Sequence, residues 1–394
     1  MTLAAVIAVS LLVYRANPMD VQQYDTSDQH FCKAVVTKVN SEDISGTDTM
    51  PGRKLGNQNV TVKITSGEYK GETATFDNNL STTHSVSVKE GTRVIVNVDS
   101  PEGIKPYYTI YQYDRTAGIA AVLMIFAALM AVTGRWKGVR AALGLFAAAV
   151  MICFILIPTI FTGKPPVAMT LIVCALITVV SLMLLNGPDP RSFASIAATV
   201  AGLAISAAFY GIFALLLHMT GYNVDSAEEL QLISGTTGLQ IRQILFCGIL
   251  LSSLGAVMDI AMSVASALYE IRQKNPAASQ REIFRSGMAI GQDMTGTMCQ
   301  TLILAFAGSS LATLLVVVSY GTQLYQFICS DMMMIELLQS MTGSAAVIAA
   351  VPVTAALCAF FFKGDKNSAE ESVTSIRSER RRKISGSGKK RRGN

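Results

Sequence analysis

Apolar residues along this chain gather into long unbroken runs. After one short run at the start and a polar stretch, seven long runs follow, at 117–134, 139–161, 166–186, 193–218, 241–268, 296–320 and 343–362. Each run is close to the roughly 20 residues that a helix needs to cross the hydrocarbon core of a bilayer. The pattern therefore predicts an α-helical membrane protein, with a seven-helix transmembrane domain at 117–362.

The short N-terminal run, at residues 1–16, is predicted to be an eighth transmembrane helix. Its apolar part, from Leu3 to Tyr14, is shorter than a full crossing and is not preceded by the basic segment typical of a signal peptide. A signal peptide, a truncated first span and the cut end of a longer span are the alternatives. No small-residue cleavage site stands out after the run, which favours a retained anchor.

Composition and charge agree with a membrane protein and suggest its orientation. Only 15% of the residues are charged, whereas soluble domains average about 25%. Basic residues concentrate in the segments 135–140 and 272–285 and in the tail 363–394. Short basic loops stay in the cytoplasm, so eight spans with both termini in the cytoplasm fit all three. The tail is then a disordered anchor on anionic lipid rather than a nucleic-acid-binding segment.

The polar stretch between the first two predicted spans has the pattern of β-strands. Segments rich in Val, Thr, Ile and Tyr, separated by turn-forming residues, lie at 31–39, 59–65, 72–77, 92–99 and 107–113. Five short strands predict a small all-β domain at 31–113, a barrel or sandwich of OB or SH3-like type. In the predicted topology this domain is extracytoplasmic, and it either binds a partner or packs on the membrane domain.

The sequence contains no recognisable catalytic or metal-binding set. His30 and His84 have no carboxylate or cysteine at ligand spacing, and the seven cysteines include no CxxC pair. No nucleophile–base pair or phosphate-binding loop is visible. We therefore expect neither an enzyme nor a bound cofactor or metal.

One predicted span, LGAVMDIAMSVASALYEIR at 254–272, carries an acid in its middle. Helical spacing places on one stripe Gly255, Asp259, Ser263, Ser266 and Glu270. A charge near the bilayer centre costs about 2.5–3.5 kcal/mol on insertion scales. Small residues let a second helix approach closely, and hydroxyls can hydrogen-bond across the contact. The sequence therefore predicts that this stripe faces the bundle interior rather than lipid.

The next predicted span carries a matching stripe, made of Asp293, Gly296, Thr297, Gln300 and Thr301. Between the two spans, Asn275-Pro276 ends one helix. Ser279 then has the pattern of an N-cap, with Glu282 as its capping-box partner. Two helices joined by so short a connection are expected to be antiparallel neighbours, so that the two polar stripes face each other.

Acids on two such stripes are typical of an ion or proton pathway. Asp259 lies 13 residues before Arg272, roughly 20 Å along a straight helix, and Asp293 lies eight residues after Arg285, roughly 12 Å. We expect both acids to be ionisable carriers within the membrane. The other residues expected to line the pathway are Ser263, Ser266, Thr297 and Gln300. The alternative is that both stripes only hold the bundle together through hydrogen bonds.

A further amphipathic stretch, at 329–344, precedes the last predicted span. It is expected to lie in the outer interface or to dip back into the bundle. Its acids, Asp331 and Glu336, could line an outer mouth, but the pattern favours a solvated face.

The segments just described resemble a known family. LGAVMDIAMSVASALYEI followed by NP, then RSGMAIGQDMTGTMCQTLILAFAGSSL and AAVPVTA at 349–355, resembles the YibE/F family of bacterial polytopic membrane proteins. The resemblance runs from the β segment through the last span. It implies the architecture and a plasma-membrane location, and it supplies no substrate.

A weaker analogy links the acid-bearing span, the charged turn and the Thr-rich span to the core of SecD/SecF and the resistance–nodulation–division exporters. There, membrane acids couple proton flow to work done by a domain outside the membrane. The arginine that follows their threonine run is absent here, and fold-level analogy does not assign a function.

The expected function is transport or export of a small solute or ion, proton-coupled through Asp259 and Asp293. The alternative is a non-transporting scaffold or accessory protein whose β domain binds an extracytoplasmic protein. These readings make opposite predictions for two variants. Replacing Asp259 with Asn should matter only to the transporter, whereas loss of residues 31–113 should abolish the function of the scaffold.

Overall fold

The structure is a computed structural model that describes residues 2–18, 28–46, 54–101, 103–222 and 227–362. The prediction for the basic tail at 363–394 falls outside the described residues. The chain divides into two compact units, one formed by residues 22–129 and the other by residues 1–21 together with 130–394.

The first unit contains a five-stranded antiparallel sheet in the order β3-β2-β1-β4-β5. Its strands are β1 Gln29–Gly46, β2 Lys54–Ile64, β3 Thr73–Leu80, β4 Arg93–Asp99 and β5 Tyr107–Tyr113. Alternating side chains such as Val60, Val62 and Val96 are fully buried on one face. The first strand is longer than predicted, because its polar half, which lacks alternation, still pairs with β2 through Gly46.

The sheet curls into a half-barrel, so that its two edge strands approach each other. The Tyr108 hydroxyl in β5 donates a hydrogen bond to the Glu72 carboxylate beside β3, over 3.2 Å. The Tyr108 ring stacks on Phe76, with ring centroids 6.2 Å apart. The predicted all-β domain is therefore confirmed.

The other regular elements of the described chain are helices. Its α-helices are α1 Thr2–Ala16, α2 Thr116–Met151, α3 Ile157–Phe161, α4 Pro166–Asn186, α5 Pro190–Leu216, α6 Ala227–Thr237, α7 Ile244–Lys274, α8 Gln280–Ser309, α9 Leu311–Ser319, α10 Leu324–Ile328 and α11 Asp331–Phe361. A π-helical segment, Ile152–Leu156, joins α2 to α3. The sequence pattern did not predict α6, because its acidic first turn and short polar sequence carry no strong apolar period.

Five helical stretches among the described residues are long and apolar enough to cross a membrane. They are Thr116–Phe161, Pro166–Asn186, Pro190–Leu216, Ile241–Lys274 and Asp331–Phe361. Helices α8 and α9 form a sixth candidate, bent by 55°, and the apolar helix Leu3–Ala16 is shorter than a full crossing. The membrane-type helical domain is thus confirmed, while the number of eight spans stays a prediction.

The longest of these stretches turns sharply at Arg135, whose backbone has φ 50° and ψ −133°. A Cβ at Gly138 would collide with the carbonyl oxygen of Met130. Residues eight apart in a straight helix are separated by about 12 Å along its axis. Glycine is therefore required at Gly138, and the turn falls within the basic segment 135–140 that separates two of the predicted runs.

From Asp331 on, the stretch at 329–344 and the last predicted span form one continuous helix, α11. Ser330 caps its N-terminus by accepting a hydrogen bond from the Met333 backbone N–H at 3.3 Å. No turn signal separates 329–344 from the apolar residues after it, and the first half already contains buried residues such as Leu338 and Thr342. The stretch is therefore not separated from the last span by a break, and its position in the interface or the bundle stays a prediction.

Helix α7 forms the centre of the second unit and packs against α4, α5, α8 and α11. Its Val257, Ile260 and Val264 side chains are fully buried. Gly202 of α5 lies so close to Val257 that an added Cβ would be 2.7 Å from its Cγ1 atom. This close approach through a small residue is typical of helix packing in membranes.

Candidate functional site

The acidic stripe of α7 lies on an exposed face of the single chain. Asp259 and Ser263 are exposed and Ser266 is half-buried, while the opposite face of the same helix is buried. The prediction that Asp259 faces the bundle interior is therefore wrong for the single chain. The reason is that the glycines permitting close approach, Gly202 and Gly287, belong to the neighbouring helices and receive the apolar face of α7.

The matching stripe of α8 is also on the surface. Asp293, Thr297 and Gln300 are all exposed. The Thr297 hydroxyl donates to the Met294 carbonyl of its own helix at 2.9 Å, and the Thr301 hydroxyl does the same to the Thr297 carbonyl at 2.7 Å. Such bonds satisfy the hydroxyl donors without a partner helix. The threonines of this stripe therefore need no hydrogen-bond acceptor from a neighbouring helix.

The connection between the two helices agrees with the prediction. Ser279 and Glu282 form the predicted capping box, with the Ser279 N–H donating to Glu282 Oε2 at 2.7 Å and the Glu282 N–H donating to Ser279 Oγ at 3.2 Å. The helices are neighbours, but they meet through apolar groups, with Leu268 packed against Gly287. No hydrogen bond joins the two stripes within the described residues, so the expected pairing of their polar groups is not found.

Neither acid has a cationic partner within the described part of the chain. The ion pairs there are Lys33–Asp114 at 3.7 Å and Arg191–Asp189 at 2.8 Å, and neither involves the stripes. Asp259 and Asp293 therefore present unpaired carboxyl groups on the exposed faces of two helices of predicted membrane spans. Chemically, such groups can take up and release protons or bind a cation wherever water or a polar partner reaches them.

Arg272 has a structural role that the charge pattern did not reveal. Its side chain is buried, and it donates to the Phe362 carbonyl at 2.8 Å, to the Pro276 carbonyl at 3.4 Å and to the Ala278 carbonyl. The guanidinium group thus joins the end of α7, the following turn and the end of α11. Arg272 is therefore buried, whereas its place in the basic segment 272–285 had suggested a solvated loop charge.

A second polar feature, also missed from the sequence, lies where α8 and α9 meet. Ser310 is buried, and its hydroxyl donates to the Glu336 carboxylate of α11. Glu336 is half-buried, with no accessible surface on Oε2, so the interpretation of a solvated outer face is wrong for this residue. The Gly308-Ser309-Ser310 sequence inside an apolar run is the signal that could have indicated a helix break.

The described residues offer no grouping of three His, Cys, Asp or Glu side chains that could hold a metal ion.

Comparison with known proteins gives two family matches. A model of YibE/F-like proteins matches residues 122–364, and a model of the YibE/F family N-terminal domain matches residues 29–113. The second match begins and ends with the sheet, from Gln29 to Tyr113. No curated protein matches, and no solved structure matches.

Proposed function

The chain belongs to the YibE/F family, and we propose that it is a multi-pass membrane transporter or exporter of a small solute or ion. Proton uptake and release at Asp259 and Asp293 drive the transport. The observation that carries the proposal is the presence of two carboxyl groups, unpaired within the described residues, on exposed faces of apolar helices.

The energetics of the two faces favour this function over simple packing. A carboxylate that faces hydrocarbon costs about 2.5–3.5 kcal/mol on insertion scales. A packing role would offset that cost through a hydrogen-bonding partner, and no partner for Asp259 or Asp293 is found among the described residues. An acid on such a face therefore needs water or a polar partner from another subunit beside it, and contact with water supports reversible protonation.

The proposal includes the finer topology. The stretch Thr116–Phe161 has 46 residues, which would extend about 69 Å as a straight helix, more than twice the roughly 30 Å thickness of a hydrocarbon core. The turn at Arg135 divides it into two crossings. With α1 and the α8–α9 pair, the chain then crosses the bacterial plasma membrane eight times, with both termini in the cytoplasm. The β domain, a barrel of OB or SH3-like type, lies outside the cytoplasm.

Proton flux through the purified protein tests the function. Wild-type protein, Asp259→Asn and Asp293→Asn are reconstituted in liposomes that contain a pH-sensitive dye, and a pH gradient is imposed. Wild-type liposomes should show flux above that of empty liposomes, and each variant should lose it. Asp331→Asn, which removes an exposed acid in the first turn of α11, is the matched control and should keep the flux. Wild-type flux that persists in both variants would overturn the proposed pathway.

A second candidate function is favoured by an aromatic pair on the β domain. Phe31 and Tyr111 are 55% and 59% exposed, with ring centroids 5.0 Å apart. Exposed aromatic groups are enriched where proteins bind partners. If the chain is a scaffold for an extracytoplasmic protein, Phe31→Ser with Tyr111→Ser should abolish its cellular function while Asp259→Asn leaves it intact. If the chain is a transporter, Asp259→Asn should have the larger effect and the aromatic double variant the smaller one.

A further inference from the structure

The break between α8 and α9 lies against an acid of α11. Ser310 has non-helical angles, φ −95° and ψ 0°, and the two helices bend by 55° around it. Its backbone N–H still donates to the Phe306 carbonyl at 3.2 Å, and its carbonyl accepts from the Leu314 N–H at 2.9 Å. The backbone is thus satisfied at the bend, and the Ser310 hydroxyl is directed to Glu336 Oε1.

The second oxygen of this carboxyl group has no donor. Glu336 Oε2 has no accessible surface and no hydrogen-bond partner among the described residues. No described cation forms an ion pair with it. From α8 and α9 the group facing Glu336 is Ser310, the neighbouring helix α10 contains no charged residue, and Asp331 on α11 itself is exposed. A buried carboxyl oxygen without a donor is unfavourable unless a proton or a cation occupies it.

Buried hydroxyl groups continue inward from Glu336 along α11. Steps of four residues place Ser340 and Ser344 on the same side of the helix as Glu336, and both serines are 7% exposed. The Ser344 hydroxyl is buried and has no partner among the described residues. From Glu336 to Ser344 the helix rises about 12 Å. Two unpaired polar atoms on one side of the helix, Glu336 Oε2 and Ser344 Oγ, are unusual, because buried polar groups normally find partners.

The inner end of this row lies between α7 and α8. A Cβ at Gly343 would be 3.3 Å from the Ser253 hydroxyl of α7 and 3.4 Å from Leu302 of α8. The Cys299 thiol of α8 donates weakly to the Ser344 carbonyl at 3.8 Å. The row therefore runs from the helix break into the packed centre of the second unit, on the opposite side of α8 from its exposed acid.

We propose that Glu336 and Ser310 form a binding site for a monovalent cation, either a proton or an alkali ion, at the break between α8 and α9. Breaks in membrane helices recur as ion-binding positions. At this break the backbone is satisfied, and the polar group that faces Glu336 is the Ser310 hydroxyl. The cation occupies Glu336 Oε2, and the Ser340–Ser344 row continues the polar route inward. This site shares no residue with the Asp259 and Asp293 pathway, so the two proposals can be tested independently.

Infrared difference spectroscopy of the full-length protein in liposomes tests the site directly. A pH step should change a protonated-carboxyl band if the cation is a proton. A sodium or potassium step at fixed pH should change a carboxylate band if it is an alkali ion. Glu336→Gln should lose whichever change the wild type shows, while Asp331→Asn on the same helix should retain it. Identical spectra for wild type and Glu336→Gln under both steps would overturn the proposal.

If Glu336→Gln does not fold, Ser310→Ala provides a second variant that tests the same site. Removing the hydroxyl donor should shift the frequency of the Glu336 band, and an unchanged band would refute the pairing of the two residues. Failure of the Glu336 site and failure of the proposed transport pathway can also be told apart. A Glu336 signal together with flux that is indifferent to Asp259 and Asp293 would overturn the proposed pathway and leave this site standing.

Discussion

The two sides of α8 differ although they share the same kinds of residue. Gly287 and Gly291 lie against α11, where a Cβ at Gly287 would be 2.8 Å from the Ala355 Cβ and one at Gly291 would collide with Val351. Gly296, five residues later, has nothing within 4 Å of an added Cβ. One glycine face is a close helix–helix contact, and the other lies beside Asp293 on an open surface.

The difference shows that small and polar residues in a membrane helix do not by themselves identify the packed side. Helix α8 buries the face whose shape fits its neighbours. Its polar stripe stays exposed to the surroundings of the chain. Substitutions on the packed side should therefore change stability more than substitutions on the open side.

The largest effect is expected at Arg272, the buried cation of the packed side. Arg272→Ala removes all three of its carbonyl contacts. It should lower the free energy of unfolding by about 4 kcal/mol or more, because a hydrogen bond from a charged group contributes about 1.5–3 kcal/mol and three are lost. Denaturant unfolding in detergent measures the change. Arg285→Ala, an exposed cation on α8, should stay within about 0.5 kcal/mol of wild type; equal losses in the two variants would contradict the role given to Arg272.

The paired variants Gly291→Ala and Gly296→Ala test the two faces of α8 directly. The added methyl group at Gly291 meets Val351, and overpacking of this kind typically destabilises by about 1–3 kcal/mol. At Gly296 the same group meets open space, and alanine favours a helix over glycine by up to about 1 kcal/mol. Thermal unfolding of both variants in one detergent measures the difference. The two-face account does not survive if Gly296→Ala is the more damaging change.

Asp114, on the β domain, has hydrogen-bond and ion-pair partners, in contrast to Asp259 and Asp293. The Thr116 hydroxyl and backbone N–H donate to it at 2.5 and 3.0 Å. These bonds, with smaller contributions from Lys33 and Arg93, hold the pKa of Asp114 below its ordinary value. A lowered folded-state pKa stabilises the fold above the unfolded value of about 3.9, and the effect disappears as pH falls through the folded value.

Asp114→Asn should therefore lower the melting temperature at pH 7, and the gap from wild type should close below about pH 4. Circular dichroism melts of the full chain across pH measure it. Glu90→Gln, which changes an exposed acid of the same domain, is the control and should show no such gap. A gap for Asp114→Asn that is constant with pH would mean that the ionised carboxylate does not stabilise the domain.

The smallest stability effects are expected at the stripes themselves. Asp259→Asn and Asp293→Asn alter exposed side chains without ion pairs in the described chain, so the free energy of unfolding should change by less than about 0.5 kcal/mol. The same unfolding assay measures this. A loss of several kcal/mol in either variant would show that the acids are packing groups after all.

The sequence predicts much of the local structure because local signals were strong. Alternating Val residues predict the strands, apolar runs predict the helices, and Ser279 with Glu282 predicts the start of α8. The orientation of Asp259 was not predictable, because it depends on Gly202 and Gly287 of other helices. The Ser310–Glu336 contact joins residues 26 apart across a helix break, and neither residue alone reveals it.

The most direct test of the proposed function compares Asp259→Glu with Asp259→Asn in the same liposome flux assay, on samples of matched stability. Glutamate keeps an ionisable carboxyl group at this position, whereas asparagine keeps nearly the same shape without it. The account predicts flux in Asp259→Glu and none in Asp259→Asn. Equal flux in both would show that Asp259 carries no protons.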